Sequence, residues 1–215
     1  MIRIENLTKV FKKQTVFKKQ TVLKDITVDL DEGTIYGLVG PNGCGKTTLM
    51  RCICGFTLPT NGRVTVNGKR IGKDCDFAPS TGVIIETPGF LGHFNGKRNL
   101  EMLAAISGKA DKKRVTEVIR MVGLDPEDRK PVGKYSLGMR QRLGIAQAIM
   151  EDPSVLILDE PFNGLDADGV AEVHKLLQNL KNQGKCILLA SHSASDIAQA
   201  CDIVWQMKDG QLQRM

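Results

Sequence analysis

Gly40-Pro41-Asn42-Gly43-Cys44-Gly45-Lys46-Thr47 matches the pattern G-x-x-x-x-G-K-[S/T] at every constrained position. Glycines at this spacing let backbone N–H groups turn inward around the β- and γ-phosphates of a nucleotide. Lys46 reaches the same oxygens, and the Thr47 hydroxyl can sit on Mg²⁺. An apolar, strand-like run (Ile35 to Val39) precedes the loop, and a helix-like run (Thr47 to Cys54) follows it. Strand, loop and helix in that order put phosphate at a helix N-terminus. A chance glycine-rich turn would not bring both flanks with it.

Working outward, Val155-Leu156-Ile157-Leu158-Asp159-Glu160 sets four apolar residues against two acids. This reads as a buried parallel strand with carboxylates at its C-terminal end, the end at which open α/β sheets bind ligands. Asp159 is placed to hold Mg²⁺, directly or through water. Glu160, one residue on, can take a proton from an attacking water. Alone the pair would be an ordinary acidic strand cap; behind a phosphate loop it reads as a metal and base pair.

Tyr135-Ser136-Leu137-Gly138-Met139-Arg140-Gln141-Arg142 resembles the LSGGQ signature of ATP-binding-cassette (ABC) ATPases. Ser136 and Gly138 stand at the signature's serine and second glycine. Tyr135 replaces its leucine, Leu137 its first glycine and Met139 its glutamine. Ser136 is a natural N-cap for the periodic run Leu143, Ile145, Ala146, Ala148, Ile149. The helix N-terminus, the hydroxyl and a glycine-exposed amide then point at an anion. The bland alternative is an ordinary capped helix; its place shortly before the Asp159 strand favours the signature.

Further blocks resemble the same family in its order. Asn163-Gly164-Leu165-Asp166 resembles the D-loop. Ser191-His192, after the apolar run Cys186 to Ala190, resembles the H-switch, whose histidine meets the γ-phosphate. Val83-Ile84-Ile85-Glu86 falls where the family has its Q-loop, with Glu86 in place of glutamine. The resemblance implies Glu160, His192 and Lys46 as catalytic residues. It implies nucleotide contacts from Gly40, Pro41, Asn42, Gly43, Cys44, Gly45, Lys46, Thr47, Thr48, Glu86, Ser136, Gly138 and Asp166, and Mg²⁺ held by Thr47, Asp159 and Glu86. An aromatic stacked on adenine is either Phe11 or Phe17. The hexapeptide Phe-Lys-Lys-Gln-Thr-Val occurs in tandem at 11–16 and 17–22, lengthening a hairpin. Phe17 is preferred because its distance to the phosphate loop is undisturbed by the duplication.

The chain has 215 residues, 41% hydrophobic and 25% charged, enough for one sizeable core. No apolar stretch approaches the ~20 residues of a membrane helix, and the N-terminus lacks an apolar signal core. The expected site is cytoplasmic, peripheral on the inner face of the membrane. The six cysteines form no C-x-x-C pair and read as reduced thiols. A net charge of +6 with only 5% aromatics argues against nucleic acid.

The expected fold is an α/β P-loop NTPase, an ABC ATPase nucleotide-binding domain with a RecA-like core, an antiparallel β subdomain and a helical subdomain. One domain is expected over 1–215: core and β subdomain over 1–85 and 151–215, helical subdomain over about 86–150, and no further C-terminal domain. Helices are read at Asn99 to Ile106, Asp111 to Val122 and Leu137 to Met150. The resemblance implies an ATPase subunit with two ATP molecules between head-to-tail cassettes, homodimeric or heterodimeric, driving a permease subunit on a separate chain. Ile85-Glu86-Thr87-Pro88-Gly89-Phe90 and Tyr135-Ser136-Leu137-Gly138-Met139 resemble the bacitracin- and lantibiotic-resistance branch, which implies export of a peptide antibiotic or similar amphiphile. Two other classes stand beside this reading: a soluble ABC ATPase acting on ribosome or DNA, which usually has two cassettes in one chain or a long coiled-coil insert, and a P-loop small-molecule kinase, which has no use for Ser136-Leu137-Gly138.

Overall fold

The computed structural model describes residues 1–12, 19–86 and 88–215. Two strands open the chain, β1 (Ile2–Lys12) and β2 (Lys19–Leu30), paired antiparallel with Phe11 opposite Gln20 and Lys12 opposite Lys19. The tandem hexapeptide straddles this hairpin. Its second phenylalanine, Phe17, lies outside the described residues. After β3 (Thr34–Val39), the chain forms β4 (Asn61–Val66) and β5 (Lys69–Arg70), which complete an antiparallel sheet in the order β2-β1-β4-β5.

The strand β3 belongs to a second sheet with β6 (Thr81–Ile84), β7 (Val155–Asp159), β8 (Cys186–Ser191), β9 (Ile203–Lys208) and β10 (Gln211–Arg214), ordered β10-β9-β3-β8-β7-β6. All its neighbours are parallel except the β9–β10 hairpin. The run of apolar residues in β7 and β8 is the mark of strands covered on both faces. Alternation then divides them. Val155 and Ile157 pack with α1 (Lys46–Cys54) and the antiparallel sheet, while Leu156 and Leu158 pack with the helices of the other layer.

Those helices are α2 (Gly96–Ser107), α3 (Lys112–Met121), α4 (Leu137–Ile149), α5 (Ala167–Asn182) and α6 (Ala194–Ala200). Each begins at a side-chain cap: Asn95, Asp111, Ser136, Asp166 and Ser193 each accept an N–H from the first turn. The first of them starts three residues before the expected Asn99. Asn95 is the cap, and Asn99 is instead a buried side chain that ties Leu91 and Asn95 to the helix. Its carboxamide satisfies backbone groups that would otherwise be buried without partners.

Candidate nucleotide site

The loop between β3 and α1 is shaped by glycine. Gly40 has φ 158°, and a Cβ there would lie 2.4 Å from the Met207 carbonyl oxygen and 2.9 Å from Cys44 Sγ. Only glycine lets the loop pass this close to β9. A Cβ on Gly43 would meet nothing within 4 Å, so that part of the loop faces open space. Helix α1 starts after Gly45 with no side-chain cap, leaving its first N–H groups for an external acceptor. Lys46 is buried, and its Nζ donates to the carbonyl oxygens of Gly40 at 2.5 Å and Pro41 at 3.3 Å. Asn42, Gly43, Gly45, Lys46, Thr47, Thr48, Asp159 and Glu160 line one cavity of about 210 Å³.

The acids gather where β6 and β7 end. The β6–β7 pairing ends at Ile84 opposite Leu158, and Glu86 and Glu160 each follow two residues later. Both leave their strands in the left-handed region, at φ 63° and 51°. Each acid at this edge is held by a partner from the same chain. Thr47 Oγ1 donates to Asp159 Oδ2 at 2.7 Å. Burial pushes the Asp159 carboxyl above its ordinary pKa; the Thr47 hydrogen bond opposes this, and the charge of Glu160 adds to it. Glu160 accepts the His192 N–H at 2.9 Å on Oε1 and the Ser191 hydroxyl at 3.1 Å on Oε2, where His192 Nδ1 also stands at 3.0 Å. A carboxylate only accepts, so it selects the tautomer with hydrogen on Nδ1. Glu86 Oε1 accepts from Arg51 Nη2 at 2.7 Å.

Other expected residues stand apart from that cavity. Ser136 Oγ accepts the Met139 N–H at 3.1 Å, and Asp166 Oδ1 accepts the Gly169 N–H at 3.0 Å; both serve as helix caps. Gly138 packs on the Gly164 carbonyl, where a Cβ would approach to 2.7 Å. The departures from the signature have local partners. Leu137 lies over Gly164, where a Cβ would come within 2.4 Å of its Cγ. The Tyr135 hydroxyl accepts the Gly96 N–H at 3.3 Å, and burial raises the Tyr135 pKa. Phe11 is partly exposed, with Lys9 Nζ 4.9 Å from its ring centre.

Two residues escaped the sequence reading. Gln141 is buried and donates to the Glu160 carbonyl at 3.1 Å, joining α4 to the end of β7. Arg51 holds Glu86. The spacing offered one signal: Arg51 is four residues after Thr47, on the same helix face.

Among the described residues, no group of three or more His, Cys, Asp or Glu could hold a metal by itself. Thr47 and Asp159 offer two hard oxygen donors beside the phosphate loop. That fits Mg²⁺, which is bound through one or two protein oxygens, with phosphates and waters completing its octahedron. The uncapped helix and buried lysine fit the phosphates. The family model described as ABC transporter matches residues 23–163.

The chain belongs to the ABC transporter family. Its fold is that of the family's ATPase cassette, and it is an ATP-binding subunit whose ATPase activity is coupled to transport. It is 43% identical over 213 residues to the uncharacterised ABC transporter ATP-binding protein YybJ of Bacillus subtilis, covering 99% of this chain and 95% of that one. It is 42% identical over 214 residues to the bacitracin transport ATP-binding protein BcrA of Enterococcus faecalis, covering 99% of this chain and 68% of that protein. The dimeric bacterial ABC transporter cassette MJ0796 superposes with a TM-score of 0.88 at 22% identity, covering 100% of this chain and 97% of the other; the likeness is one of fold. Among the described residues no helix is long and apolar enough to cross a membrane.

Proposed function

We propose that this subunit drives a membrane permease on a separate chain by closing head to tail on a second cassette around two Mg²⁺-ATP, and that its cargo is a peptide antibiotic or similar amphiphile. The cargo reading is supported by the 42% identity to a protein named for bacitracin transport. The mechanism is supported above all by Glu160. Its carboxylate stands at the C-terminal edge of β7, in the same cavity as Lys46 and Thr47.

In this reading the glycine loop and the α1 N-terminus bind the phosphates. Lys46 exchanges the carbonyls of Gly40 and Pro41 for phosphate oxygens, a charged acceptor replacing neutral ones. Thr47 and Asp159 would hold Mg²⁺, with Glu86 as a further acid on that side; when bound, the ion would neutralise charge on the β- and γ-phosphates. Glu160 takes the proton of the attacking water. Ser191 and His192 orient that carboxylate, and His192 turns to the γ-phosphate as the site fills. Ser136, Gly138 and Asp166 serve the partner cassette's nucleotide, since in this chain they stand outside the phosphate cavity. The division into core over 1–85 and 151–215 and helical subdomain over about 86–150 gives the two lobes that close, and adenine rests on Phe17 or Phe11. Localisation at the inner face of the membrane follows from the permease.

Glu160→Gln should keep ATP binding, cut turnover by roughly 10²–10⁴ as expected for losing a general base, and accumulate an ATP-held dimer visible by light scattering. Hydrolysis near the wild-type rate in that variant would remove Glu160 from the base role.

A further inference from the structure

The carboxylates of Glu86, Asp159 and Glu160 share one sheet edge beside a cavity built for a polyanion, and Glu86 and Glu160 both push the Asp159 carboxyl up. Asp159 and Glu160 are held by hydrogen bonds from residues of the strand ends and of the phosphate loop. Glu86 is held by a full cation, Arg51, through a bond of 2.7 Å. The two side chains are 44% and 65% exposed. An ion pair so exposed is weak and readily exchanged. Arg51 also shares an α1 face with Thr47, which stands on Asp159. Arg51 therefore stands one helical turn along α1 from Thr47.

We propose that Arg51 is a positioning residue that competes with Mg²⁺ for Glu86. This rests on the reading of Glu86 as an acid that meets the metal. With the pair closed, the charge of Glu86 is neutralised and no longer adds to that of Asp159 and Glu160, which line the cavity that receives the phosphates. As Mg²⁺ enters, Glu86 exchanges Arg51 for the hydrated ion. The pair thus favours nucleotide before metal and raises the Mg²⁺ concentration at which the site fills. It also gives a reason for a glutamate rather than glutamine here: an amide would hold neither Arg51 nor the metal water with charge.

The consequences have opposite signs, which separates positioning from mere structural support. In Arg51→Gln, a fluorescent ATP analogue should bind more weakly in EDTA, while the Mg²⁺ midpoint of its fluorescence change should fall, each by up to about five-fold, the range of an exposed pair. Arg51→Lys, which keeps the charge, should stay near wild type. In a Glu86→Gln background, adding Arg51→Gln should move neither quantity further, since the effect runs through the pair. An equal Arg51→Gln shift in both backgrounds would mean a general charge effect and would overturn the proposal. So would a loss of affinity for both nucleotide and Mg²⁺. If Glu86→Gln alone leaves the Mg²⁺ midpoint at the wild-type value, the reading of Glu86 as a metal-side acid fails and the Arg51 proposal goes with it. If Glu86→Gln moves the midpoint and Arg51→Gln does not, the Arg51 proposal alone fails.

Discussion

Ser136 is assigned two tasks that substitution can separate. As a cap, its Oγ accepts the Met139 N–H at 3.1 Å, and its backbone is extended at φ −63° and ψ 167° before α4 begins. Replacing it by alanine leaves one first-turn donor without its acceptor, at a cost of about 1 kcal/mol. In a domain of this size that is roughly 2–4 °C in Tm. Ser136→Asp restores the cap, and its charge meets the positive end of α4, worth about 0.3–1 kcal/mol more. The aspartate variant should therefore melt at or above the wild-type temperature. Yet its carboxylate occupies the helix end that is proposed to face the partner's nucleotide. Two anions would then compete for one N-terminus, and ATP-driven dimerisation should be lost. The assay pairs thermal unfolding by circular dichroism with light scattering in ATP, each variant carried on Glu160→Gln. A stable Ser136→Asp protein that still dimerises with ATP like its parent would refute the anion-facing role. An alanine variant with unchanged Tm would refute the capping argument.

Asp159→Asn should raise the Tm of the nucleotide-free protein at neutral pH. Burial holds the folded carboxyl above its unfolded pKa, so its stabilising effect is present below the unfolded value and is lost as pH rises through the folded one. The gain should shrink as pH falls into the carboxylate range, and Mg²⁺-ATP should no longer stabilise the variant; a lower Tm at pH 7 would contradict this. Maleimide should inactivate the enzyme through Cys44, with protection by Mg²⁺-ATP. Burial raises the thiol of Cys52 to about 11 and those of Cys54, Cys186 and Cys201 to about 12, which leaves the half-buried Cys44 and Cys75 as targets. Cys75→Ser should still be inactivated and Cys44→Ser should not; the reverse result assigns the effect to Cys75. Glu86→Ala should bind Mg²⁺-ATP but respond less to the reconstituted membrane subunit, and an unchanged stimulation ratio would take Glu86 out of coupling.

Read alone, the sequence determined what is local. The loop from Gly40 to Thr47, the apolar run ending in Asp159 and Glu160, and the capped helix after Ser136 each carry their chemistry within about ten consecutive residues. Backbone sterics and period-2 or period-3.6 patterning act at that range. The family resemblance rests on the order of such blocks. Tertiary structure alone decided who meets whom. β8 lies between β3 and β7, and that order brings Ser191 and His192 to Glu160 and Thr47 to Asp159. The match of Leu137 to Gly164, the reach of Gln141 to the Glu160 carbonyl and the pairing of Arg51 with Glu86 join positions 19 to 35 residues apart. Periodicity tells which face of an element is turned inward. It does not tell which element lies opposite, because that depends on strand order and layer packing, where the competing arrangements bury similar apolar area and differ only in the fit of particular side chains.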